Sequence, residues 1–202
     1  MPKQSYVYRE KAGTGDNPPL LFLFHGTGGD EDQFFELGSQ LLPGARLIAV
    51  RGDVSEGGAL RYFRRTGEGV YDMADLAVRT AKLAAFVKAH IGDVRPEKVL
   101  GFGYSNGANI LASVQFAMPD LFDATALLHP LIPFDPLAVK GLKGKKVLIT
   151  AGERDPICPP PRTQALADYF SGQGSDVTLH WHAGGHELRQ EELLAARDFF
   201  AA

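Results

Sequence analysis

The chain has 202 residues, of which 45% are hydrophobic and 22% are charged. A chain of this length is ordinarily one domain, so we expect residues 1–202 to form a single domain, and these fractions exclude a disordered or collagen-like protein. The net charge of −3 makes a nucleic-acid partner unexpected, because surfaces that bind polyanions carry an excess of basic residues.

Seven short segments of apolar, β-branched or aromatic residues recur along the chain, with glycine, proline or aspartate beside them. They are residues 5–9, 20–24, 46–50, 98–102, 124–128, 146–150 and 177–181. Their lengths and flanking residues predict strands. Several are apolar at consecutive positions, which is typical of a sheet that is covered on both faces.

Helical periodicity fills four of the intervals between these strands. The predicted helices are residues 72–91, 106–117, 162–170 and 187–200. Asp72 can cap the first of them, and Gly92 follows its end. Strands that alternate with helices predict an α/β fold with a mostly parallel sheet of about seven strands and helices on both faces. Binding sites in such sheets lie beyond the carboxyl ends of the strands.

A candidate nucleophile follows the strand at residues 98–102. Residues 103–107 read G-Y-S-N-G, and an apolar helix comes next. In this strand–turn–helix context the pattern G-x-S-x-G predicts a strained turn that presents the central Ser105 above the sheet. The helix N-terminus beneath the serine favours developing negative charge.

A serine needs a base within hydrogen-bonding reach before it becomes a good nucleophile. His186 follows two glycines beyond the last predicted strand and precedes the final helix, which places it at the carboxyl edge of the sheet. We therefore predict that His186 is the base. The other histidines are less suitably placed: His25, His90, His129, His180 and His182.

A carboxylate should orient the imidazole and fix its tautomer. Asp155 lies at the carboxyl end of the strand at residues 146–150, which is the position that this role requires. Glu153, two residues earlier, and Asp135, after the preceding strand, remain alternatives.

The loop after the strand at residues 20–24 reads H-G-T-G-G-D. Its glycines let the backbone approach a ligand closely. Acyl transfer needs two N–H donors aimed at the tetrahedral oxyanion, and the backbone N–H groups of Thr27 and Asn106 are the natural pair. We expect His25 to brace this loop. The phosphate-binding patterns G-x-x-x-x-G-K-[ST] and G-x-G-x-x-G are absent.

These motifs together resemble the α/β-hydrolase superfamily, in particular its small carboxylesterase/phospholipase branch, which is related to acyl-protein thioesterases and dienelactone hydrolases. The resemblance covers residues 20–200, and the order Ser105, Asp155, His186 is the one found in α/β-hydrolases. It implies a minimal α/β-hydrolase domain without a cofactor. It also implies that these three residues form a catalytic triad and that Thr27 and Asn106 form the oxyanion hole.

Two departures from the related families bear on the substrate. Dienelactone hydrolases carry a cysteine nucleophile where this chain has Ser105, which argues against their specialised reaction. Acyl-protein thioesterases have glutamine where this chain has Asn106, which argues against lipidated-protein substrates. We therefore expect hydrolysis of short-chain or aryl carboxylic esters, or of thioesters, through an acyl-enzyme. The alternatives are a non-catalytic small-molecule-binding protein on this fold, or a cofactor-free perhydrolase or C–C hydrolase.

The predicted substrate pocket draws on the long connection at residues 51–72. Its four basic residues are balanced by four acidic ones, which argues against an anion-binding site. Aromatic and apolar residues near the predicted edge are candidates for the pocket wall: His25, Tyr62, Phe63, Tyr104 and Leu131. Residues 129–145 number only 17, too few for a helical cap domain, so we expect a shallow and partly open pocket.

Metal and membrane partners are not expected. His180, His182 and His186 could in principle hold a metal ion, but the triad accounts better for His186. The single cysteine, Cys158, excludes an internal disulfide, and we expect it to pack near the site. The N-terminal residues show no secretory signal, and no run of 18 apolar residues exists. We expect a cytoplasmic monomer or homodimer.

Overall fold

The computed structural model describes residues 2–202. A short 3-10 helix, Pro2–Gln4, precedes the regular elements. The strands are β1 Tyr8–Lys11, β2 Leu20–Phe24, β3 Arg46–Val50, β4 Val54–Glu56, β5 Ala59–Arg61, β6 Arg65–Gly67, β7 Val70–Tyr71, β8 Val99–Tyr104, β9 Ala124–Leu128, β10 Lys146–Gly152 and β11 Asp176–His182. The helices are α1 Phe35–Leu41, α2 Met73–Ile91, α3 Asn106–Ala117, α4 Pro160–Gly172 and α5 Gln190–Ala201.

Seven of the strands form one sheet in the order β1-β3-β2-β8-β9-β10-β11. β1 pairs with β3 in the antiparallel direction, and every other pair in this sheet is parallel. The prediction of a mostly parallel sheet of about seven strands is confirmed. The parallel pairing brings the carboxyl ends of β2, β8, β9, β10 and β11 to one edge, which is where the candidate site lies.

Helices cover both faces of the sheet, and β2 shows how the sequence arranges this. All five of its residues are buried. Leu20, Phe22 and Phe24 belong to the core that packs against α2, α3 and α4. Leu21 and Leu23 point the other way, into the core that packs against α1 and α5. A strand that is buried on both faces cannot show alternation of apolar and polar residues, which explains its continuous apolar run.

Three local features differ from the predicted elements. Helix α1 has only seven residues and was not predicted, because so short an element carries little periodic signal. Residues 51–72 contain two small hairpins, β4–β5 and β6–β7, in place of an irregular loop. The first strand begins three residues later and ends two residues later than predicted, because pairing with β3, and not an apolar face, sets the position of this exposed edge strand.

The final helix also begins later than predicted, at Gln190. Its start is fixed by the carboxylate of Glu192, which accepts a hydrogen bond of 2.8 Å from the backbone N–H of Arg189. This leaves residues 187–189 in the loop that carries His186.

The connection between β9 and β10 forms no helical cap over the carboxyl edge of the sheet. In the described chain, residues 129–145 contain neither a helix nor a strand. Across residues 2–202, no helix combines the length and apolar character that a bilayer crossing requires.

Candidate active site

Ser105 occupies the turn between β8 and α3 with a positive backbone angle, φ = 52°. Two close approaches explain the glycines of the motif. A Cβ on Gly103 would lie 2.7 Å from the backbone of Gly107, and a Cβ on Gly107 would lie 2.3 Å from the carbonyl oxygen of Phe24. Glycine is therefore required at both positions to pack the start of α3 against the sheet. The turn holds the serine at the carboxyl edge of the sheet.

Ser105, His186 and Asp155 lie in one hydrogen-bonded line. His186 Nδ1 is 2.7 Å from Asp155 Oδ2, and its Nε2 is 2.9 Å from Ser105 Oγ. A carboxylate can only accept, so the imidazole proton lies on Nδ1 and the serine hydroxyl donates to Nε2. This is the geometry that prepares a serine for nucleophilic attack.

Asp155 is fully buried and is held by four donors. Its Oδ1 accepts from the backbone N–H groups of Ile157 at 2.8 Å and Cys158 at 2.9 Å, and both His186 and His129 reach its Oδ2. Burial opposes ionisation, but the hydrogen bonds outweigh it and hold the pKa of Asp155 well below its usual range.

The two alternative carboxylates do not contact His186. Glu153 and Asp135 are both exposed to solvent. Asp155 is the carboxylate that the structure brings to the histidine.

A cavity of about 340 Å³ opens in front of Ser105. Thr27 and Asn106 both line it, together with His186. Asn106 is the first residue of α3, so its N–H has no carbonyl partner within the helix. Thr27 lies in the loop after β2. The structure thus brings Thr27 and Asn106, the two residues predicted to supply the oxyanion donors, to the walls of the serine cavity.

Two of the residues predicted for the pocket wall line this cavity, namely Tyr104 and Leu131. The Tyr104 hydroxyl also donates a hydrogen bond of 2.7 Å to the carbonyl oxygen of His186, which steadies the loop that carries the imidazole.

The prediction is wrong for Tyr62 and Phe63, which are both fully buried away from the cavity. The Tyr62 hydroxyl donates to the carbonyl oxygen of Val50 at 2.6 Å, and the Phe63 ring packs on Tyr71 at 4.7 Å. The hairpin β4–β5 directs this aromatic pair into the core, and the sequence of the connection alone does not reveal that direction.

His25 is buried as well and does not line the cavity, so its place in the predicted pocket is also wrong. Its Nδ1–H donates to the carbonyl oxygen of Gly26 at 2.7 Å, and its Nε2 accepts from the N–H of Gly52 at 2.8 Å. Burial lowers the pKa of this imidazole, so the ring is neutral. His25 braces the loop after β2 against residues 51–72, as expected from the sequence.

Arg61 lines the cavity and was missed in the sequence, where it was one of several balanced charges. It is only 4% exposed, and its Nη1 donates to Thr27 Oγ1 at 2.8 Å. Glu56 lies 3.4 Å from its Nε and also pairs with Arg65. Burial lowers the pKa of Arg61, which remains charged at neutral pH. This guanidinium holds the loop that carries Thr27, one of the two predicted oxyanion donors.

A second group of buried polar residues lies behind Asp155 and was also missed. We call His129, Thr150, His182 and Glu192 the rear cluster. The side chains of its two histidines and its glutamate are 0% exposed. They come from the turn after β9 and from β10, β11 and α5, far apart in the sequence, so no local motif signals them.

The rear cluster has ligand types that a metal could use, but its hydrogen bonds do not suit one. His129, His182 and Glu192 bring their ligand atoms together. However, the N–H of Gly184 donates to His182 Nδ1 at 3.0 Å, so the proton of that neutral ring lies on Nε2. Nε2 is the atom that would have to ligate the metal.

A larger groove of about 900 Å³ lies elsewhere, between α2, α3 and residues 134–139. Its walls are mostly apolar, and none of Ser105, Asp155 and His186 lines it. The candidate active site is therefore identified by its chemistry and not by its size.

A parallel sheet with a serine on a strained turn after β8, and with a histidine and an aspartate following later strands, defines an α/β-hydrolase. The model of the dienelactone hydrolase family matches residues 64–192. The chain belongs to the dienelactone hydrolase family.

Three similar proteins cover nearly the whole chain. MhqD of Bacillus subtilis (strain 168) is 40% identical over 197 residues, which are 96% of each chain. The structure of Atu2452 from Agrobacterium tumefaciens str. C58, a protein of unknown function, is 52% identical with a TM-score of 0.92, covering 100% of this chain and 98% of that one. A Bacillus cereus carboxylesterase is 34% identical with a TM-score of 0.92, covering 98% and 94%. The chain is a hydrolase of the dienelactone hydrolase and carboxylesterase type.

Proposed function

We propose that this hydrolase cleaves short-chain or aryl carboxylic esters through a covalent acyl-enzyme on Ser105. The observation that carries the proposal is the line of contacts from Ser105 Oγ to His186 Nε2, 2.9 Å, and from His186 Nδ1 to Asp155 Oδ2, 2.7 Å. Nucleophile, base and orienting carboxylate are thus within hydrogen-bonding reach before any substrate binds.

The reaction follows from these contacts. Ser105 attacks the ester carbonyl while His186 Nε2 accepts the hydroxyl proton, and Asp155 stabilises the imidazolium that forms. The imidazolium then protonates the leaving alkoxide. Water then gives a proton to the same nitrogen and attacks the acyl carbonyl, and the imidazolium returns the proton to Ser105 Oγ as its bond to the acyl group breaks and the acid leaves.

The oxyanion of each tetrahedral intermediate faces the backbone N–H groups of Thr27 and Asn106. Asn106 starts a helix of 12 residues, so the helix dipole adds to its donor. A single donor of this kind is worth about 10²–10³-fold in kcat. Arg61 supports the other donor through its hydrogen bond to Thr27 Oγ1.

The size of the cavity supports small substrates. Its volume of about 340 Å³ suits a short acyl or aryl ester, and residues 129–145 provide no helix to extend it. Polar groups of Arg61, Thr27 and Asn109 contribute to its wall. Each additional methylene gains about 0.8 kcal/mol only where it is buried, so this gain should stop after the first few carbons.

A fluorophosphonate probe tests the proposal against a protein that binds small molecules on this fold without catalysis. We expect the probe to label Ser105 covalently and to abolish hydrolysis of p-nitrophenyl acetate. Absence of labelling, with no turnover across an ester and thioester panel, would contradict the proposed function.

A further inference from the structure

His129 follows β9 as Ser105 follows β8, and it takes an unusual backbone conformation. Its φ is 50°, and Ser105 is the one other non-glycine residue of the described chain with a positive φ. The N–H of His129 donates to the carbonyl oxygen of Thr150 at 2.9 Å. The turn directs the imidazole inward, behind Asp155, where its side chain is 0% exposed.

Both ring nitrogens of His129 face carboxylates. Nδ1 lies 2.8 Å from Asp155 Oδ2, and Nε2 lies 3.0 Å from Glu192 Oε1. Carboxylates only accept hydrogen bonds, so each nitrogen needs a proton to make a favourable contact. A ring with both nitrogens protonated is an imidazolium.

The neighbouring histidine offers His129 Nε2 a second partner. His182 Nε2 lies 3.3 Å from His129 Nε2 and 3.3 Å from Glu192 Oε2. Because His182 Nδ1 accepts from Gly184, its Nε2 carries a proton, which Glu192 Oε2 can accept. That proton could also be donated to His129 Nε2, but the contact of His129 Nε2 with Glu192 Oε1, 3.0 Å, is shorter than its contact with His182, 3.3 Å, which favours a proton on His129 Nε2.

Glu192 is itself built into the structure as an ionised group. Thr150 Oγ1 donates to its Oε1 at 2.6 Å, and the N–H of Arg189 donates to its Oε2 at 2.8 Å. Burial opposes the charge, but the hydrogen bonds from His129 and Thr150 outweigh it and lower the pKa of Glu192.

We propose that His129 is a positioning residue of the esterase site, a buried imidazolium that holds Asp155 from behind and limits how strongly Asp155 attracts a proton to His186. The inference rests on the proposed function, because the effect is exerted on the proposed base. His129 and His186 share the single oxygen Oδ2 of Asp155, and their ring centres are 5.1 Å apart.

The charge balance explains why a cation is needed behind Asp155. Asp155 and Glu192 bring two negative charges into one buried region. Without the His129 imidazolium, both would favour a proton on His186, and a protonated His186 cannot accept the proton of Ser105. With the imidazolium in place, one negative charge remains, and it is matched when His186 is protonated during the reaction.

The surroundings of His129 agree with a retained charge. Burial opposes it, but the hydrogen bonds to Asp155 and Glu192 raise the pKa of His129 to about 9. Other groups facing the ring or its backbone are His182, His186, Tyr104 and the Cys158 thiol, which donates to the His129 carbonyl oxygen at 3.2 Å. Burial keeps that thiol protonated by raising its pKa.

Two substitutions separate the charge of His129 from its hydrogen bonds. In His129→Asn, the amide donor can replace Nδ1 towards Asp155, and asparagine tolerates positive φ. In His129→Gln, the amide donor can replace Nε2 towards Glu192. Neither variant carries a charge. His90→Gln is the matched control, because His90 is a buried histidine on α2 that packs on Phe22 and Phe86, outside the site.

The measurement is kcat/KM for p-nitrophenyl acetate against pH. We expect the acid-side fall in activity to move to higher pH by about one unit in both His129 variants, because His186 is protonated more easily without the neighbouring cation. Activity lost near neutral pH should return at higher pH. His90→Gln should keep the unmodified profile. An unmoved profile in a folded His129→Asn would overturn the proposal in favour of a purely structural role.

A second measurement does not depend on activity or on the folding of the variants. In the ¹⁵N-histidine-labelled unmodified protein at about pH 8, we expect one imidazolium whose two ring nitrogens both carry slowly exchanging protons. A neutral ring at His129 would overturn the proposal. Fluorophosphonate labelling of Ser105 reports the proposed function separately, so a protein without esterase activity and a protein with a neutral His129 give different results.

Discussion

Asp155 divides the candidate site into a front and a rear that use the same residue types differently. In front, His186 is 17% exposed and opens through Ser105 onto the cavity. Behind, His129 contacts the same carboxylate oxygen but is fully buried between two carboxylates. On the proposed mechanism, solvent access separates the roles of the two rings: the front imidazole exchanges a proton with the substrate, and the rear one keeps its proton at neutral pH.

Removal of the front nucleophile should have the largest effect. Ser105→Ala should lower kcat for p-nitrophenyl acetate by about 10⁴-fold or more, since the remaining groups have no hydroxyl to activate. The fold should survive, because one hydroxyl at the cavity surface contributes little packing. Near-normal activity in a preparation free of contaminating esterase would show that the site is misassigned.

Replacement of Asp155, the carboxylate shared by His186 and His129, should have the next largest effect on activity, because its loss affects both the front and the rear of the site. Asp155→Asn should cost about 10²–10⁴-fold in kcat, as the amide can hold the wrong tautomer of His186. Glu153→Gln and Asp135→Asn are the matched controls, and each should cost less than about tenfold. A greater loss at either control than at Asp155 would move the orienting role to that residue.

The rear imidazolium should appear in the pH dependence of stability. The pKa of His129 is raised from 6.5 to about 9 on folding, so its contribution is fully present below about pH 6.5 and is lost as the pH rises through 9. We expect up to about 3 kcal/mol of unfolding free energy to disappear over that interval.

Urea unfolding at several pH values measures this dependence. The unmodified protein should lose stability between about pH 6.5 and pH 9 more steeply than His129→Asn, which has no such group to titrate. If the unfolding free energies of the two proteins changed with pH in parallel, His129 would carry no retained proton and would not differ in this respect from His186.

A change in the acyl length of the substrate should have the smallest effect on activity. This experiment tests only the front of the site, where the cavity lies. Across p-nitrophenyl esters below their micelle concentrations, kcat/KM should peak at roughly two to six acyl carbons and then decline, because further methylenes find no apolar wall. A steady rise to long chains would contradict the limited cavity and favour a lipid substrate.

Those parts of the protein that depend on local patterns could be predicted from the sequence. Seven apolar segments specified the sheet strands, except that the exposed edge strand β1 was misplaced. The glycines of the G-x-S-x-G turn are required by close contacts within the turn itself and with the end of the adjacent strand β2. The places of Asp155 and His186 beside Ser105 were predictable because each follows a strand of a parallel sheet, and all such ends meet at one edge.

Which polar and aromatic side chains are buried depends on contacts that form only when distant parts of the chain pack together. Tyr62 and Phe63 are as hydrophobic in a pocket wall as in a core, so only the path of the β4–β5 hairpin determines which they join. Arg61 counts as an ordinary surface charge until its burial beside Thr27 is seen. The contact between His129 and Glu192 joins residues 63 positions apart in the chain. The energy of a buried charge depends on its partners and its distance from water, and neither can be read from the residues next to it in the sequence.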